Sequence, residues 1–209
     1  EETLRQAATA FESCLKVFKR DSYPIQWASA QNRLGLVLYK LDLKTGEQET
    51  LKQSLNAFQA ALKVFNRNEF PTRWADVMNN FAQAAQVLGE QLHSVEVLQK
   101  AVKASHGALE IRRKDDDPIL WASTQNNLGS GLFLLGKLSN NKKHLEDSAN
   151  AFSQALDVYN ELRAERLAIV ARKNLTRVQV ELSETYGSTM DKPSTIPTLD
   201  WEKGVNKVR

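Results

Sequence analysis

The side chains that invite a chemical role form a periodic set of amides. Asn32, Asn79 and Asn126 recur every 47 residues, with Lys173 in the fourth place; one residue on stand Arg33, Asn80, Asn127 and Asn174, and one helical turn on stand Leu36, Gln83, Ser130 and Arg177. A carboxamide carries a donor pair and an acceptor, so a ladder of them can pair with the N–H and C=O groups of an extended peptide without selecting its side chains. Arg33, Lys173 and Arg177 would add charge selection for carboxylates or phosphates towards the two ends of such a ladder. The alternative is that the amides bond to neighbouring helices or loops and set their stacking. Both readings stand for Asn127 and Asn174, whereas Asn79 and Asn126 are assigned to ligand contact.

No catalytic constellation accompanies them. A nucleophile beside a base, a metal cluster or a Gly-rich phosphate loop would be needed, and none has recognisable spacing, so the chain reads as a non-enzyme without cofactor or metal. His93, His106 and His144 share no column and are read as surface residues. Cys14, the single cysteine, falls in the column of Ala61, Ala108 and Ala155, which makes it a small buried residue and not half of a disulfide. Arg112-Arg113-Lys114-Asp115-Asp116-Asp117 has cancelling charges and reads as a solvated loop ending in a helix-capping carboxylate.

The elements that must carry the amides follow from the same period. Trp27, Trp74 and Trp121 each stand three residues after a proline (Pro24, Pro71, Pro118), and three further columns keep the register: Leu4, Leu51, Leu98 and Leu145; Leu15, Leu62, Leu109 and Leu156; Leu34, Phe81, Leu128 and Leu175. A fixed period of this size marks an array of one supersecondary unit. Within a unit, Trp27, Leu34, Leu38 and Leu41 share one helical face and Leu51, Leu55, Phe58, Leu62 and Phe65 another, so each unit is two helices. At about 100° per residue, Asn32 points roughly 120° or more away from the first stripe and faces a groove or a neighbouring helix.

Proline suits a first helical turn, and the stretches 42–47, 89–94 and 136–143 are polar or carry Gly, which places helices near 2–19, 24–42, 48–66, 71–89, 94–113, 118–137, 143–161 and 164–186. No period-two alternation calls for a strand. Stacked units share a core, so residues 1–186 form one elongated domain that begins and ends on half-units. The tryptophans lie on the leucine stripe and are read as core. Ala168 and Glu165, where a Trp and a Pro are expected, mark a terminal unit.

The motif Leu34-Gly35, Leu38, Ser54-x-x-x-Phe58-x-x-Ala61, Pro71, repeated at Leu128-Gly129, Leu132 and Ser148-x-x-x-Phe152-x-x-Ala155, resembles the tetratricopeptide repeat over most of residues 1–186. The unit is longer than the usual repeat of about 34 residues, and Trp27 precedes Leu34 by seven positions rather than the family's three, which is similar to a long-helix branch of the family. The resemblance implies an all-α, right-handed solenoid of stacked antiparallel helix pairs whose first helices line a concave groove for peptides or proteins. HEAT and armadillo arrays, with units of about this length, are the structural alternative. Gly35, Ala82 and Gly129 favour the tetratricopeptide reading, because closely crossing helices need a missing side chain there.

The function expected is a protein-interaction scaffold, with the groove residues Asn32, Arg33, Asn79, Asn80, Gln83, Asn126, Asn127, Ser130, Lys173 and Arg177. The alternatives are a self-association module built on the unpaired half-units, or a regulatory repeat region of a larger signalling protein. Single-stranded RNA binding is disfavoured, because a net charge of +3 over 209 residues is a weak electrostatic footprint despite a pI near 8.9. The most apolar stretch, Leu128–Gly136, is far short of the roughly 20 residues that cross a bilayer. A cytoplasmic location is expected, and a start at Glu1 without a leader reads as a processed chain or a fragment, the fragment being favoured because the first helix matches only the second half of a unit. Residues 187–209 leave the register and read as a tail. There Trp201, Val205 and Val208 form a short apolar stripe that either caps the last helix or occupies a groove as a pseudo-ligand.

Overall fold

The computed structural model describes residues 1–187, and the expectations for Trp201, Val205 and Val208 lie outside them. The described residues form eight helices and no strand: α1 (Glu2–Val17), α2 (Pro24–Thr45), α3 (Gln48–Leu62), α4 (Pro71–Gln91), α5 (Val95–Ile111), α6 (Pro118–Ser139), α7 (Lys142–Glu161) and α8 (Glu165–Tyr186). Each helix packs on the next in the chain. The first helices of the units, α2, α4, α6 and α8, also touch in succession, while α1, α3, α5 and α7 make no contact with one another. The fold is thus an all-α solenoid in two layers, with the first helices crowded on the inside of its bend.

Local signals explain the helix starts. Pro24, Pro71 and Pro118 occupy the first turn, where a missing N–H costs nothing. Asp117 caps α6 through its carboxylate, accepting from the Leu120 N–H at 2.9 Å, as the acidic run predicts.

The ends of the first helices differ from expectation. They run two to three residues past 42, 89 and 137, because the stop is a second column: Gly46, His93 and Asn140, 47 residues apart, all adopt the left-handed conformation with φ of 68°, 49° and 47°. His93 therefore does a backbone job as well as lying at the surface. Gly89 and Gly136 sit inside the helices, where a β-carbon would lie 2.8 Å from Leu98 and Leu145 respectively. These glycines make room for a neighbouring helix and do not break their own. The second helices α3 and α5 end earlier than expected, at Leu62 and Ile111.

The pair interface repeats in register. A β-carbon on Gly35 would lie 2.6 Å from the Phe58 ring, and one on Gly129 would lie 2.9 Å from the Phe152 ring. In the middle unit the same pair is Ala82 and Ser105, so the larger residue on one helix has exchanged with a smaller one on the other. Ser54 and Ser148 donate to the Gly35 and Gly129 carbonyls, each at 2.7 Å, where the middle unit has Ala101 opposite Ala82. Contacts that advance along one helix while retreating along the other, Gly129 to Phe152 and Gly136 to Leu145, show that the pairs are antiparallel.

Several burial expectations need correction. The tryptophans are half-buried at the rim of the core, with Arg20 stacked over Trp27 and Arg67 over Trp74 at 6.0 and 5.7 Å. Cys14 is only partly buried, since among the described residues no further helix packs on its side of α1, whereas Ala61, Ala108 and Ala155 are 0% exposed. His93 and His106 are exposed, but His144 is half-buried and its Nδ1 has no partner among the described residues. Arg112 leaves its solvated loop altogether. Its guanidinium turns inward to Asp76 at 2.6 Å and to the Thr124 hydroxyl at 2.7 Å, while Arg113 and the three aspartates stay exposed. An arginine in the column of Phe65 and Tyr159 thus bridges α4 and α6, by an ion pair to Asp76 and a hydrogen bond to Thr124.

Candidate functional site

The inner layer brings the amides together in pairs. Asn80 donates to the Asn32 side-chain oxygen at 3.1 Å, Asn127 to Asn79 at 2.9 Å and Asn174 to Asn126 at 3.3 Å. Each pair joins successive first helices, because residues 48 apart lie opposite when one repeat stacks on the next. Asn79 is 6% exposed, and Asn32, Asn80, Asn126, Asn127 and Asn174 are half-buried. The ladder thus works as stacking glue, while each amide keeps donor or acceptor capacity beyond its one bond. Arg33 and Lys173 are exposed, and Gln83 is half-buried. Ser130 turns its hydroxyl back onto the Asn126 carbonyl at 3.1 Å.

Two adjoining cavities open at the α6 and α8 end of the ladder. The first, about 190 Å³, is lined by Gln86, Glu90, Ser130, Phe133, Asn174 and Arg177 among others. The second, about 270 Å³, shares Glu90, Leu134 and Arg177 with it and adds an apolar wall of Leu98 and Leu138. Arg177 lies over the Phe133 ring at 4.5 Å, a cation–π contact that holds the guanidinium at the mouth. Among the described residues neither Arg177 nor Glu90 forms an ion pair, although both line both cavities; Lys137 at the second is held by Glu181 at 2.8 Å. A basic and an acidic group thus flank an apolar slot, neither of them ion-paired among the described residues.

The structure brings Ser130 and Arg177, of the expected residues, into these cavities, and Asn174 beside them. It leaves Asn32, Arg33, Asn79, Asn80, Gln83, Asn126, Asn127 and Lys173 outside the linings of both. Sequence reasoning missed Gln86 and Glu90. Gln86 stands in the column of Tyr39, Phe133 and Val180, and it donates to the Asn127 carbonyl at 2.7 Å. Gly131 makes that approach possible, since a β-carbon there would lie 3.2 Å from the Gln86 amide nitrogen. The signal available was the break in an otherwise apolar column.

Elsewhere, Asp42 occupies the column of Gly89 and Gly136. It is 2% exposed and its Oδ1 has no partner, while Oδ2 accepts from Gln91 at 3.4 Å. Burial pushes its carboxyl above the usual carboxylate range; the Gln91 hydrogen bond opposes this and the charge of Glu47 adds to it. No three metal-ligating side chains converge among the described residues, and no described helix is long and apolar enough to cross a membrane. No protein-family model matches the chain, and no curated protein is significantly similar to it.

Proposed function

We propose that this chain is a non-catalytic, tetratricopeptide-like interaction scaffold that binds a peptide segment of a protein partner along its inner layer. The observation that carries this reading is the pair of adjoining cavities at which Arg177 and Glu90, neither ion-paired among the described residues, stand beside an apolar slot. Such a slot takes an apolar side chain, while the two charges and the spare amide capacity of Asn174 take polar groups of the segment. The motif resemblance supports a right-handed superhelix with a concave groove. The ladder enters the proposal in a changed role: Asn79 and Asn127 fix the spacing of the helices, and Asn174, Ser130 and Arg177 meet the ligand.

Selection of random displayed peptides on the immobilised protein tests this, followed by hydrogen exchange with and without an enriched peptide. Protection on α6 and α8 around Ser130 and Arg177 is expected. Enriched peptides that protect only α3, α5 or α7 would contradict it. Binding that collapses with salt and is competed by single-stranded RNA would favour nucleic acid instead.

A further inference from the structure

The seam between α6 and α8 carries an apolar patch as well as the cavities. Residues 48 apart lie opposite on successive first helices, as the bond from Asn174 to Asn126 at 3.3 Å shows, so two turns nearer the helix starts Ile119 stands opposite Leu167. Ile119, its neighbour Leu120 and Leu167 are 39%, 38% and 42% exposed. Their exposure does not come from the end of the array. The column of Ile25, Thr72, Ile119 and Arg166 and that of Gln26, Arg73, Leu120 and Leu167 are exposed in all four first helices, yet the second column is apolar only in the last two. Ile169, Val170 and Val180 differ, because their columns are buried or half-buried in the internal units and open only at the edge of the described array. A cluster of aliphatic side chains at positions that are open in every unit marks a contact surface.

The same seam is short of negative charge. Pro118–Ser139 contains no Asp or Glu, and its one charged residue, Lys137, is held by Glu181 at 2.8 Å. α8 adds Arg166 beside the patch and Arg177 at the cavities, and neither forms an ion pair among the described residues. Eleven residues separate them, close to three full turns, so they share a face and stand roughly 16 Å apart along it. Arg166 adjoins Leu167, and Arg177 adjoins the slot of Leu98, Leu134 and Leu138, which sets a cation next to an apolar surface at both places. Lys173 does not belong to this set: its column, Asn32, Asn79 and Asn126, turns towards the following helix.

Given the inner layer as the peptide site, we infer that the segment it takes is acidic and extended, with two carboxylates about five residues apart, each beside an aliphatic residue. At roughly 3.3 Å per residue, an extended chain covers the distance from Arg166 to Arg177 in about five steps. Its carboxylates pair with the two guanidiniums, its aliphatic side chains cover the patch at one end and fill the slot at the other, and the amides of Asn126 and Asn174 meet the backbone between. Glu90, at the slot, disfavours a further carboxylate there. Single-stranded nucleic acid is the poorer occupant. Among the described residues α6 and α8 expose no aromatic ring beyond the half-buried Trp121 and Tyr186, and two cations make a thin phosphate track.

The test follows amide chemical shifts of the intact chain during titration with the peptide Leu-Asp-Ser-Thr-Ser-Thr-Asp-Leu, capped at both ends so that it has no terminal charge. Wild type and Lys103→Glu are expected to bind it, and Arg166→Glu at least tenfold more weakly. Wild type should bind the peptide at least tenfold more weakly when both Asp are changed to Asn, or when the two are made adjacent. Changing one Asp to Lys should restore binding to Arg166→Glu at one of the two positions, a rescue that a misfolded variant could not give. No binding of the parent peptide, equal binding of its Asn form, or no rescue at either position overturns the inference. An oligouridylate that binds more tightly than the peptide and needs Arg166 overturns it in favour of nucleic acid. A peptide selected on the wild-type protein separates this failure from a wider one. If that peptide loses affinity for Arg177→Glu but not for Arg166→Glu, the cavities remain the site and the acidic pair is wrong; if it is indifferent to both, the inner-layer site itself falls.

Discussion

Gly35 lies against Phe58 so closely that a β-carbon on the glycine would stand 2.6 Å from the ring, and Phe58 is 0% exposed. Ala82 and Ser105 hold the same places in the next unit. Replacing Gly35 by Ala gains about 0.5–1 kcal/mol of helix propensity, but overpacking a buried ring costs about 1–3 kcal/mol, so the net effect is loss. Urea denaturation is expected to show Gly35→Ala destabilised in the wild-type background and much less so in Phe58→Ser, a coupling that two independent sites would not produce.

The Asn79 and Asn127 pair is expected to contribute about 0.5–1.5 kcal/mol to stacking, the ordinary net worth of one hydrogen bond. Asn79→Ala and Asn127→Ala should each lower stability, and the double variant should lose less than the two combined. Equal losses that add would show that the amides act separately.

Arg112→Met should destabilise the junction of α4 and α6, because it leaves Asp76 and the Thr124 hydroxyl without their donor. Asp76 is 44% exposed and water can partly replace the arginine, so a loss of about 1–3 kcal/mol is expected rather than the full penalty of a buried pair. Thermal unfolding of the single variant and of Arg112→Met with Asp76→Ala measures it; the second change should recover part of the loss.

Asp42 gives the stability a pH signature. Its folded-state pKa is raised above the unfolded value, chiefly by burial, so the folded state binds the proton more tightly and ionisation of this group opposes folding. Its contribution is therefore most favourable below the unfolded pKa, near 3.8, and is lost as pH rises through the folded value. Asp42→Asn should melt at a higher temperature than wild type near pH 7, with the gap narrowing towards pH 3. A gap constant across that range would contradict the assignment.

Much of this architecture was legible because packing repeats. The three prolines and the leucine columns located every helix to within a few residues, and the spacing of Gly35 and Gly129 announced the close crossings. What was hidden depended on residues that break a column or serve the backbone. The stop at His93 required φ of 49°, which no side-chain pattern encodes, and so Gly89 was given a job that belongs four residues later. Arg112 looked solvated because its partners Asp76 and Thr124 are distant in sequence. The amide columns were visible in the period, yet their mutual bonding could not be read along one helix, because it arises only when residue 127 of one unit meets residue 79 of the unit before it. Gln86 went unnoticed for the related reason that its use depends on Gly131, on another helix.

The inner-layer cavities as a peptide site are tested most directly by titrating one peptide, selected on the wild-type protein, against three proteins by calorimetry. Ser130→Trp should fill the first cavity without touching the core, Arg177→Glu should reverse the charge at the mouth, and Lys103→Glu alters an exposed residue of α5 away from both. The account predicts at least tenfold weaker binding to Ser130→Trp and to Arg177→Glu, with Lys103→Glu equal to wild type. Unchanged affinity for both cavity variants, with circular dichroism showing them folded, would contradict it.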